Sequence, residues 1–389
     1  MSAVALVAEQ VSGPIRVAHL TSTHEAFDTR IFWKECRTLA LAGYDVTLVA
    51  PHDVDVSRDG VRIAAVPRPG GRGERATRTA WRVFRAGWRS RAHVIHVHDP
   101  ELLPWALLMK LLGRRVIYDA HENLPKDIRS KHYLPGPLRA LVAAVVDLLE
   151  RAACTCLDGV VTVTPGIASR FPPGRTIVLR NFPLLAEFAA ATPGDYAARR
   201  PVVLYLGGLN EIRGVREMVR AIGRVKDSLG AELWLVGRFD PPGLEHQLAA
   251  EPGWSRTRWL GWRTREQVAL ALAASRVGLL VLHPVPNHLD SLPIKLFEYM
   301  AAGLPVVASR FPAWERIVNG AGAFVDPLDA GAIAAEIERL LENPEDAARM
   351  GEKGRAAVEQ ELHWEREAAG LIALYQRVSG APRAMSDGA

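Results

Sequence analysis

The sequence predicts an α/β protein with two domains, each built on a parallel sheet covered by helices. The chain has 389 residues, which is too long for one compact core. Short apolar runs alternate with longer amphipathic ones, the order that gives a parallel sheet flanked by helices. Residues 186–200 lack this periodic order, and the same alternation restarts after them. We therefore expect domains over residues 1–185 and 201–362, joined by a linker over 186–200.

The predicted elements follow one another in the order of such a fold. After the first strand, the polar loop 21–30 leads into a helix that ends near Leu41. Amphipathic helices are predicted over residues 137–153 and from 329 to about 378. The predicted strands are residues 15–20, 44–50, 61–66, 93–98, 116–119, 159–163 and 177–179 in the first half, and 202–206, 233–236, 259–260, 277–282 and 305–308 in the second.

Composition limits where the protein works and what it binds. Hydrophobic residues make up 49% of the chain, but no run of about 18 apolar residues would span a membrane. Residues 1–14 carry no signal-peptide pattern, so we expect frayed tails there and after residue 379, and a cytoplasmic protein.

Residues 1–190 hold 25 Lys and Arg against 18 Asp and Glu, whereas residues 191–389 hold 23 against 25. The first half is therefore expected to face an anionic partner.

Arginines recur every three or four residues in a predicted helix of the first half, beside a stripe of aromatic residues. The two stripes are Arg75, Arg78, Arg82, Arg85 and Arg89, and Trp81, Phe84 and Trp88. A surface helix that packs its aromatics on the sheet explains this pattern. An interfacial helix that contacts anionic lipid on the inner membrane face, or an anionic acceptor, is the alternative.

Two histidines share one face at the end of a predicted strand. His96 and His98 have a spacing that some metal sites use, and Asp99 follows them. No matching set of carboxylates and histidines is evident downstream. The sequence therefore predicts no metal site.

The stretch from His288 to Ser309 has the pattern of a ligand-binding loop. Pro293 followed by good helix formers predicts a loop that ends at a helix N-terminus, where free N–H groups favour anions. Lys295 would add positive charge one turn into the helix, and Glu298 on the same face could accept hydrogen bonds from vicinal hydroxyls such as those of a ribose. An ordinary Lys/Glu helix pair is the alternative.

A glycine turn follows the first strand of the second half. Gly207 and Gly208 allow the backbone to approach a phosphate closely, and Arg213 would neutralise its charge. The spacing differs from Gly-x-Gly-x-x-Gly, which argues against a nicotinamide enzyme.

Over nearly its whole length the chain resembles the GT-B glycosyltransferases, specifically the retaining family 4 type. The motifs that carry the resemblance are Tyr205-Leu-Gly207-Gly208-Leu-x-x-x-Arg213-Gly214, Trp259-Leu-Gly261 and the stretch from Asp290 to Ser309. The resemblance implies two Rossmann-like domains facing across a cleft, with a helix in residues 363–389 that crosses back to the N-terminal domain. It also implies transfer of a hexosyl or N-acetylhexosaminyl group from a nucleotide-sugar, with UDP-sugars favoured, in polysaccharide or secondary-metabolite biosynthesis. The acceptor would be a glycan, a lipid-linked molecule or a small natural product.

The resemblance also implies roles for individual residues. Gly208 stands where the family usually has a basic residue, so Lys295 is expected to supply that charge. Asp290 stands where the family usually has Glu and would meet the donor sugar. The residues implied for catalysis are His121, Arg213, Lys295 and Asp290; those for the donor are Gly207, Gly208, Arg213, Gly237, Trp262, Asp290, Ser291, Leu292, Lys295 and Glu298; those on the acceptor side are Thr23, Asp28, Arg30, His98 and Asp99.

The expected chemistry needs no metal and no cofactor. Fixed cations and helix N–H groups can stabilise the charge that builds on a departing nucleoside diphosphate. Two other functions stay open: a nucleotide-sugar 2-epimerase of the same fold, and a non-catalytic protein that binds a nucleotide-sugar. Nucleic acid is not an expected partner, and the oligomeric state is undetermined.

Overall fold

A computed structural model describes residues 14–129, 135–188, 196–289 and 291–380, and it divides the chain into two compact units. The first unit comprises Met1–Arg180 and Glu367–Ala389, and the second comprises Asn181–Arg366. Asp290 and most of both expected tails lie outside the described residues.

The first unit is a parallel sheet with one antiparallel edge strand. Its described residues form an eight-stranded sheet in the order β3-β4-β2-β1-β5-β6-β7-β8, in which only β3 is antiparallel to its neighbour. The central strands are buried on both faces, as a helix-covered parallel sheet requires. The strands are β1 (Arg16–Leu20), β2 (Asp45–Pro51), β3 (Val56–Arg58), β4 (Val61–Val66), β5 (Val94–Val97), β6 (Arg115–Ala120), β7 (Gly159–Thr162) and β8 (Thr176–Val178).

Helices connect these strands. A π-helix over Ile31–Cys36 leads directly into the first α-helix, and another over Arg75–Thr79 precedes the third. The α-helices are α1 (Arg37–Leu41), α2 (Arg72–Glu74), α3 (Ala80–Arg89), α4 (Leu103–Leu111), α5 (Leu124–Arg129), α6 (Gly136–Cys156) and α7 (Pro165–Ala168).

The second unit is a fully parallel sheet. In the described part of the chain it has six strands, in the order β11-β10-β9-β12-β13-β14. The strands are β9 (Val202–Leu206), β10 (Glu232–Val236), β11 (Thr257–Gly261), β12 (Val277–Leu280), β13 (Val306–Ser309) and β14 (Gly322–Val325). The helices are α8 (Val215–Ile222), α9 (Leu244–Leu248), α10 (Arg265–Ala274), α11 (Pro286–Leu289), α12 (Ile294–Ala301), α13 (Pro312–Val318), α14 (Ala330–Glu342) and α15 (Pro344–Gln360).

The last helix, α16 (Trp364–Ser379), contributes most of its length to the first unit. Its Tyr375 is fully buried, and the hydroxyl lies 3.0 Å from His19 Nε2 on β1. None of the described helices combines the length and apolar character that a membrane span needs.

The two mixed α/β units, each with a parallel sheet, confirm the predicted fold class of two Rossmann-like domains. The boundaries of the units lie at residues 180/181 and 366/367, rather than around a linker over residues 186–200. Residues 186–200, expected to be a linker, include Phe188 and Tyr196, which are buried in the core of the second unit. The Tyr196 hydroxyl donates a 2.6 Å hydrogen bond to the carbonyl of Arg276. A segment without periodic apolar order can still contribute aromatic side chains to a core, and periodicity does not detect this.

Helix α12, which carries Lys295 and Glu298, is held at its C-terminal end by a close backbone contact. A Cβ atom at Gly351 of α15 would overlap the carbonyl oxygen of Gly303, which follows α12. We therefore expect Gly351→Ala to lower the free energy of unfolding by about 2 kcal/mol, although alanine favours a helix over glycine. Urea unfolding measures this change. Gly73→Ala in α2 is the control, because no atom lies within 4 Å of its added Cβ; equal stability of the two variants would contradict the prediction.

Candidate active site

The second unit places a lysine and an arginine against the glycine turn after β9. Gly207 has a φ of +120°, and a Cβ atom there would overlap Lys295 Nζ. A Cβ atom at Gly208 would lie 3.0 Å from Arg213 Nη1. Because both positions are glycines, the two cationic groups lie beside bare backbone. The structure thus brings these four predicted residues together.

Lys295 is half-buried and in an unfavourable electrostatic environment for a cation. Its Nζ lies 3.2 Å from the Tyr205 hydroxyl and 4.5 Å from the centre of the Tyr205 ring. Burial and the positive charge of Arg213 lower the pKa of Lys295 to about 7, against the opposing effect of Glu298. An anion bound between Lys295 and Arg213 would raise the pKa of Lys295 again.

Arg213 is positioned by a short 3-10 turn over Glu211–Arg213. The side-chain oxygen of Asn210 caps this turn and accepts a 3.1 Å hydrogen bond from the Arg213 N–H. Gly214 follows with a φ of +75°, and a Cβ atom there would overlap the carbonyl oxygen of Val281. Arg213 therefore lies in a turn that ends at a position only glycine can occupy.

Glu298 lies one turn after Lys295 and is buried. It accepts a 2.8 Å hydrogen bond from Arg265 Nη1, and Arg265 also pairs with Glu187. Arg265 was not among the site residues predicted from the sequence, because a single basic residue at the start of a helix does not form a recognisable motif. It orients the carboxylate that the sequence assigned to the ribose.

The loop before α12 is braced by its own hydrogen bonds. The Ser291 hydroxyl donates to the carbonyl of His288 at 3.0 Å, and Trp314 Nε1 donates to the carbonyl of Ser291 at 2.7 Å. The Ser291 N–H, expected to face the donor, instead donates to the His288 carbonyl at 3.3 Å. Leu292 is partly buried against the core of the unit. Asp290, expected to meet the donor sugar, is outside the described residues.

Gly237 directly follows β10, which is next to β9, and Trp262 directly follows β11, the edge strand beyond β10. Gly237 has a φ of +148°, a Cβ atom there would overlap the carbonyl oxygen of Gly207, and its own carbonyl accepts a 2.9 Å hydrogen bond from Trp259 Nε1. Trp262 is 60% exposed, so its indole is accessible to a ligand.

In the first unit, Arg30 and Asp119 form a buried bidentate ion pair. The Arg30 Nε and Nη2 groups donate to Asp119 at 2.8 and 3.2 Å, and Nη1 donates to the Leu179 carbonyl at 3.1 Å. Burial alone would raise the pKa of Asp119, but the Arg30 charge outweighs it and holds that pKa well below its usual range. Arg30 thus ties the loop after β1 to β6.

The residues predicted for the acceptor side differ in their exposure to solvent. Thr23 is exposed, whereas the side chains of His98, Asp99 and Arg30 are buried. Asp99 accepts hydrogen bonds from the Thr21 hydroxyl at 2.7 Å and the Ser22 N–H at 2.6 Å. The expectation that His98, Asp99 and Arg30 line an acceptor surface therefore needs correction: they support the loop that carries Thr23.

His121 and His24 pack together at the edge of this loop. Their ring centres are 5.1 Å apart, and His121 Nδ1 lies 3.9 Å from Asp119 Oδ1. His24 lies 3.7 Å from Asp28 and 3.5 Å from Asp99. Asp28 also accepts hydrogen bonds from the N–H groups of Arg30 and Ile31, at 2.8 and 2.9 Å. His24, which the sequence did not single out, joins the predicted residues in one local cluster.

The arginine stripe borders an open groove in the first unit. Helix α3 buries Val83 and Phe84, and Trp81 and Trp88 are 44% and 38% exposed. The packing of Phe84 agrees with a surface helix that buries its aromatic stripe in part. The cavity is about 890 Å³, and its basic lining residues are Arg62, Arg82, Arg85 and Arg89.

Comparison with known proteins identifies the family. The family model described as glycosyl transferase 4-like domain matches residues 29–181, and the model described as glycosyl transferases group 1 matches residues 200–343. This chain is a GT-B glycosyltransferase of family 4. The resemblance found in the sequence is therefore confirmed.

Relatives of this glycosyltransferase include several mannosyltransferases. It is 26% identical to the MMP alpha-(1->4)-mannosyltransferase of Mycolicibacterium hassiacum over 72% of this chain and 70% of that protein. It is 33% identical to the phosphatidyl-myo-inositol mannosyltransferase of Mycolicibacterium smegmatis over 51% of this chain and 50% of that protein.

Solved structures share the GT-B fold of this glycosyltransferase. Sucrose-phosphate synthase from Thermosynechococcus elongatus has a TM-score of 0.76 and 20% identity, over 95% of this chain and 100% of that chain. Anabaena HepE in complex with UDP-glucose has a TM-score of 0.70 and 14% identity, over 92% and 98%.

The His24–Asp28 pair predicts a pH-dependent stability. Burial lowers the pKa of His24, but the ion pair with Asp28 and the nearby carboxylates outweigh burial and raise this pKa from 6.5 to about 9. The pair therefore stabilises the fold fully below pH 6.5, and this stabilisation is lost as pH rises through about 9. We expect His24→Gln to cost up to about 3 kcal/mol at pH 6 and little at pH 10, measured by urea unfolding. The exposed His93→Gln is the control, and an equal cost for His24→Gln at both pH values would contradict the assignment.

Proposed function

We propose that this glycosyltransferase moves a hexosyl group from a nucleoside diphosphate sugar to an acceptor, with retention of the anomeric configuration and without a catalytic metal ion. The observation that carries the proposal is the convergence of Arg213 and Lys295 on the side-chain-free backbone of Gly207 and Gly208. Two cations beside bare backbone have the chemistry of a diphosphate site.

The charge on the leaving group determines how this site would act. As the sugar departs, negative charge builds on the β-phosphate, and cations held in place by the fold stabilise it without reorganisation. Glu298, oriented by Arg265, would accept hydrogen bonds from the ribose hydroxyls. The exposed Trp262 would border the base.

Retention is proposed to follow from attack on the face that the leaving group vacates. The leaving phosphate oxygen would take the proton of the acceptor hydroxyl, so that no covalent sugar intermediate forms. In the first unit, the local cluster exposes polar groups of Thr23, His24, Asp28 and His121, and we propose that they contact the acceptor. Isolation of a glycosyl adduct on a carboxylate would contradict this mechanism.

The identity of the donor is a separate part of the proposal. UDP-sugars are favoured, and HepE was crystallised with UDP-glucose. A relative from Corynebacterium glutamicum, 28% identical over 46% of this chain, is described as GDP-mannose-dependent. GDP-mannose is therefore the donor to compare first with UDP-glucose.

We also propose that the groove beside α3 holds an anionic acceptor or the headgroups of an anionic membrane. Four arginines line it together with Asp55, and three of them, Arg82, Arg85 and Arg89, belong to α3. Part of this charge is already paired, because Arg82 lies 3.7 Å from Glu74.

The transfer reaction can be tested with a thermal-shift screen of UDP-, GDP-, ADP- and dTDP-sugars, followed by NMR of the product anomer. A true donor raises the melting temperature by mass action. Arg213→Ala is expected to lower kcat about 100- to 1,000-fold, because it removes charge from the leaving group. Arg220→Ala is the matched control, since this exposed arginine pairs with Glu251. Full activity of Arg213→Ala would contradict the proposal, as would an inverted product or an epimerised sugar formed from the donor alone.

Lys295 predicts how diphosphate binding changes with pH. The bound anion favours the protonated lysine, whereas the free protein loses that proton above about pH 7. The affinity for the nucleoside diphosphate of the selected donor should therefore fall up to about tenfold per pH unit above 7, with proton uptake detected by calorimetry in two buffers. Lys295→Arg keeps its charge and should bind with little pH dependence. An affinity of the unmodified protein that is constant from pH 7 to 9 would contradict the assignment.

A further inference from the structure

Three histidines and a glutamate meet in the core of the first unit, beneath the loop that follows β1. They are His19 on β1, His96 on β5, His98 just after β5, and Glu35 on the π-helix Ile31–Cys36. His19 and His96 are paired neighbours in the parallel register of β1 and β5. All four side chains are inaccessible to solvent.

Glu35 Oε2 lies beyond hydrogen-bond distance of all three histidines, whereas His19 Nδ1 and His98 Nε2 are 2.9 Å apart. Glu35 Oε2 lies 3.8 Å from His19 Nδ1, 3.9 Å from His96 Nδ1 and 3.9 Å from His98 Nε2. These separations exceed hydrogen-bond length. Neither carboxylate oxygen has a hydrogen-bond partner among the described residues, although Oε1 lies 3.1 Å from Arg30 Nε. A buried carboxylate that faces three imidazole nitrogens at this distance leaves room for a small cation between them.

We propose that His19, Glu35, His96 and His98 bind one divalent transition-metal ion of the Zn²⁺ class as a structural site. Three imidazole nitrogens and one carboxylate oxygen suit such an ion, and four protein ligands close its tetrahedral coordination shell. Bonds of about 2.0–2.1 Å place tetrahedral ligand atoms about 3.3 Å apart. The ligand pairs at 3.8–3.9 Å and the His19 Nδ1 to His98 Nε2 pair at 2.9 Å bracket that value.

The groups around the cluster match the outer shell of a metal site. Histidine ligands usually donate their second ring N–H to a carboxylate or another oxygen, which fixes the ring. His98 Nδ1 lies 3.4 Å from Asp119 Oδ2, and His19 Nε2 lies 3.0 Å from the Tyr375 hydroxyl on α16. The same hydroxyl lies 2.9 Å from His96 Nδ1, a contact that this nitrogen would give up on binding the ion. The ion would thus join β1, β5 and the π-helix, and Tyr375 would extend the link to α16.

All four side chains reach the cluster from the interior of the first unit, and none is exposed to solvent. The site is closed and buried, so the ion would contribute to stability and would not contact the sugar donor.

Metal analysis of the full-length protein, purified without a histidine tag from zinc-supplemented medium, tests this inference. We expect about one Zn²⁺ per chain after gel filtration, and less than about a tenth of that in Glu35→Gln and His96→Gln. The exposed His93→Gln lies three residues before His96 and is the matched control that should retain the ion. A chelator should lower the melting temperature of the unmodified protein and His93→Gln, and added Zn²⁺ should restore it.

If the core variants do not fold, cobalt binding to the unmodified protein still tests the inference. Co²⁺ bound to the unmodified protein should give the strong visible absorption of a four-coordinate nitrogen and oxygen site. If the unmodified protein carries no ion after growth in zinc and after reconstitution, and binds Co²⁺ with only the weak spectrum of a six-coordinate ion, the inference is wrong. The cluster would then be a hydrogen-bonded core of neutral histidines.

Discussion

The chemistry of the second unit depends on one constraint: two cations are held side by side against a backbone that carries no side chains. Lys295 and Arg213 repel each other, and burial removes the water that would screen them. The fold enforces this arrangement through Gly207 and Gly208, where any Cβ atom would meet a cation. A bound anion would relieve this repulsion, and the proposed diphosphate has the charge to do so. In the proposal, Lys295 supplies the charge that Gly208 lacks.

The first unit is organised by a buried polar network. Arg30 contacts Asp119, Glu35 and the Leu179 carbonyl, so that one guanidinium joins the loop after β1, the π-helix and the end of β8. Ionic groups at this depth are costly unless they are paired, which makes their positions highly specific. The network holds Thr23, His24 and His121 at the surface while its own members stay buried.

Family membership sets the class of reaction, and the individual residues set its details. The relatives of this chain include mannosyltransferases, a glycogen synthase and, by fold, a sucrose-phosphate synthase. One fold therefore serves acceptors of very different size and charge, and specificity resides in the loops.

Local sequence was sufficient for most of the described strands and for singling out the glycine turn and the three charged residues Arg213, Lys295 and Glu298, because periodicity and short motifs are properties of neighbouring residues. It did not reveal β3 or β14, which lack the run of large apolar residues that marks β9, or the burial of Phe188 and Tyr196. Tertiary structure alone decided that Arg265 orients Glu298, that His98 is a core residue, and that His19 and Glu35 join His96. Each of these contacts links residues that lie far apart in the chain or on different elements, and their proximity exists only after parallel strands have been placed side by side.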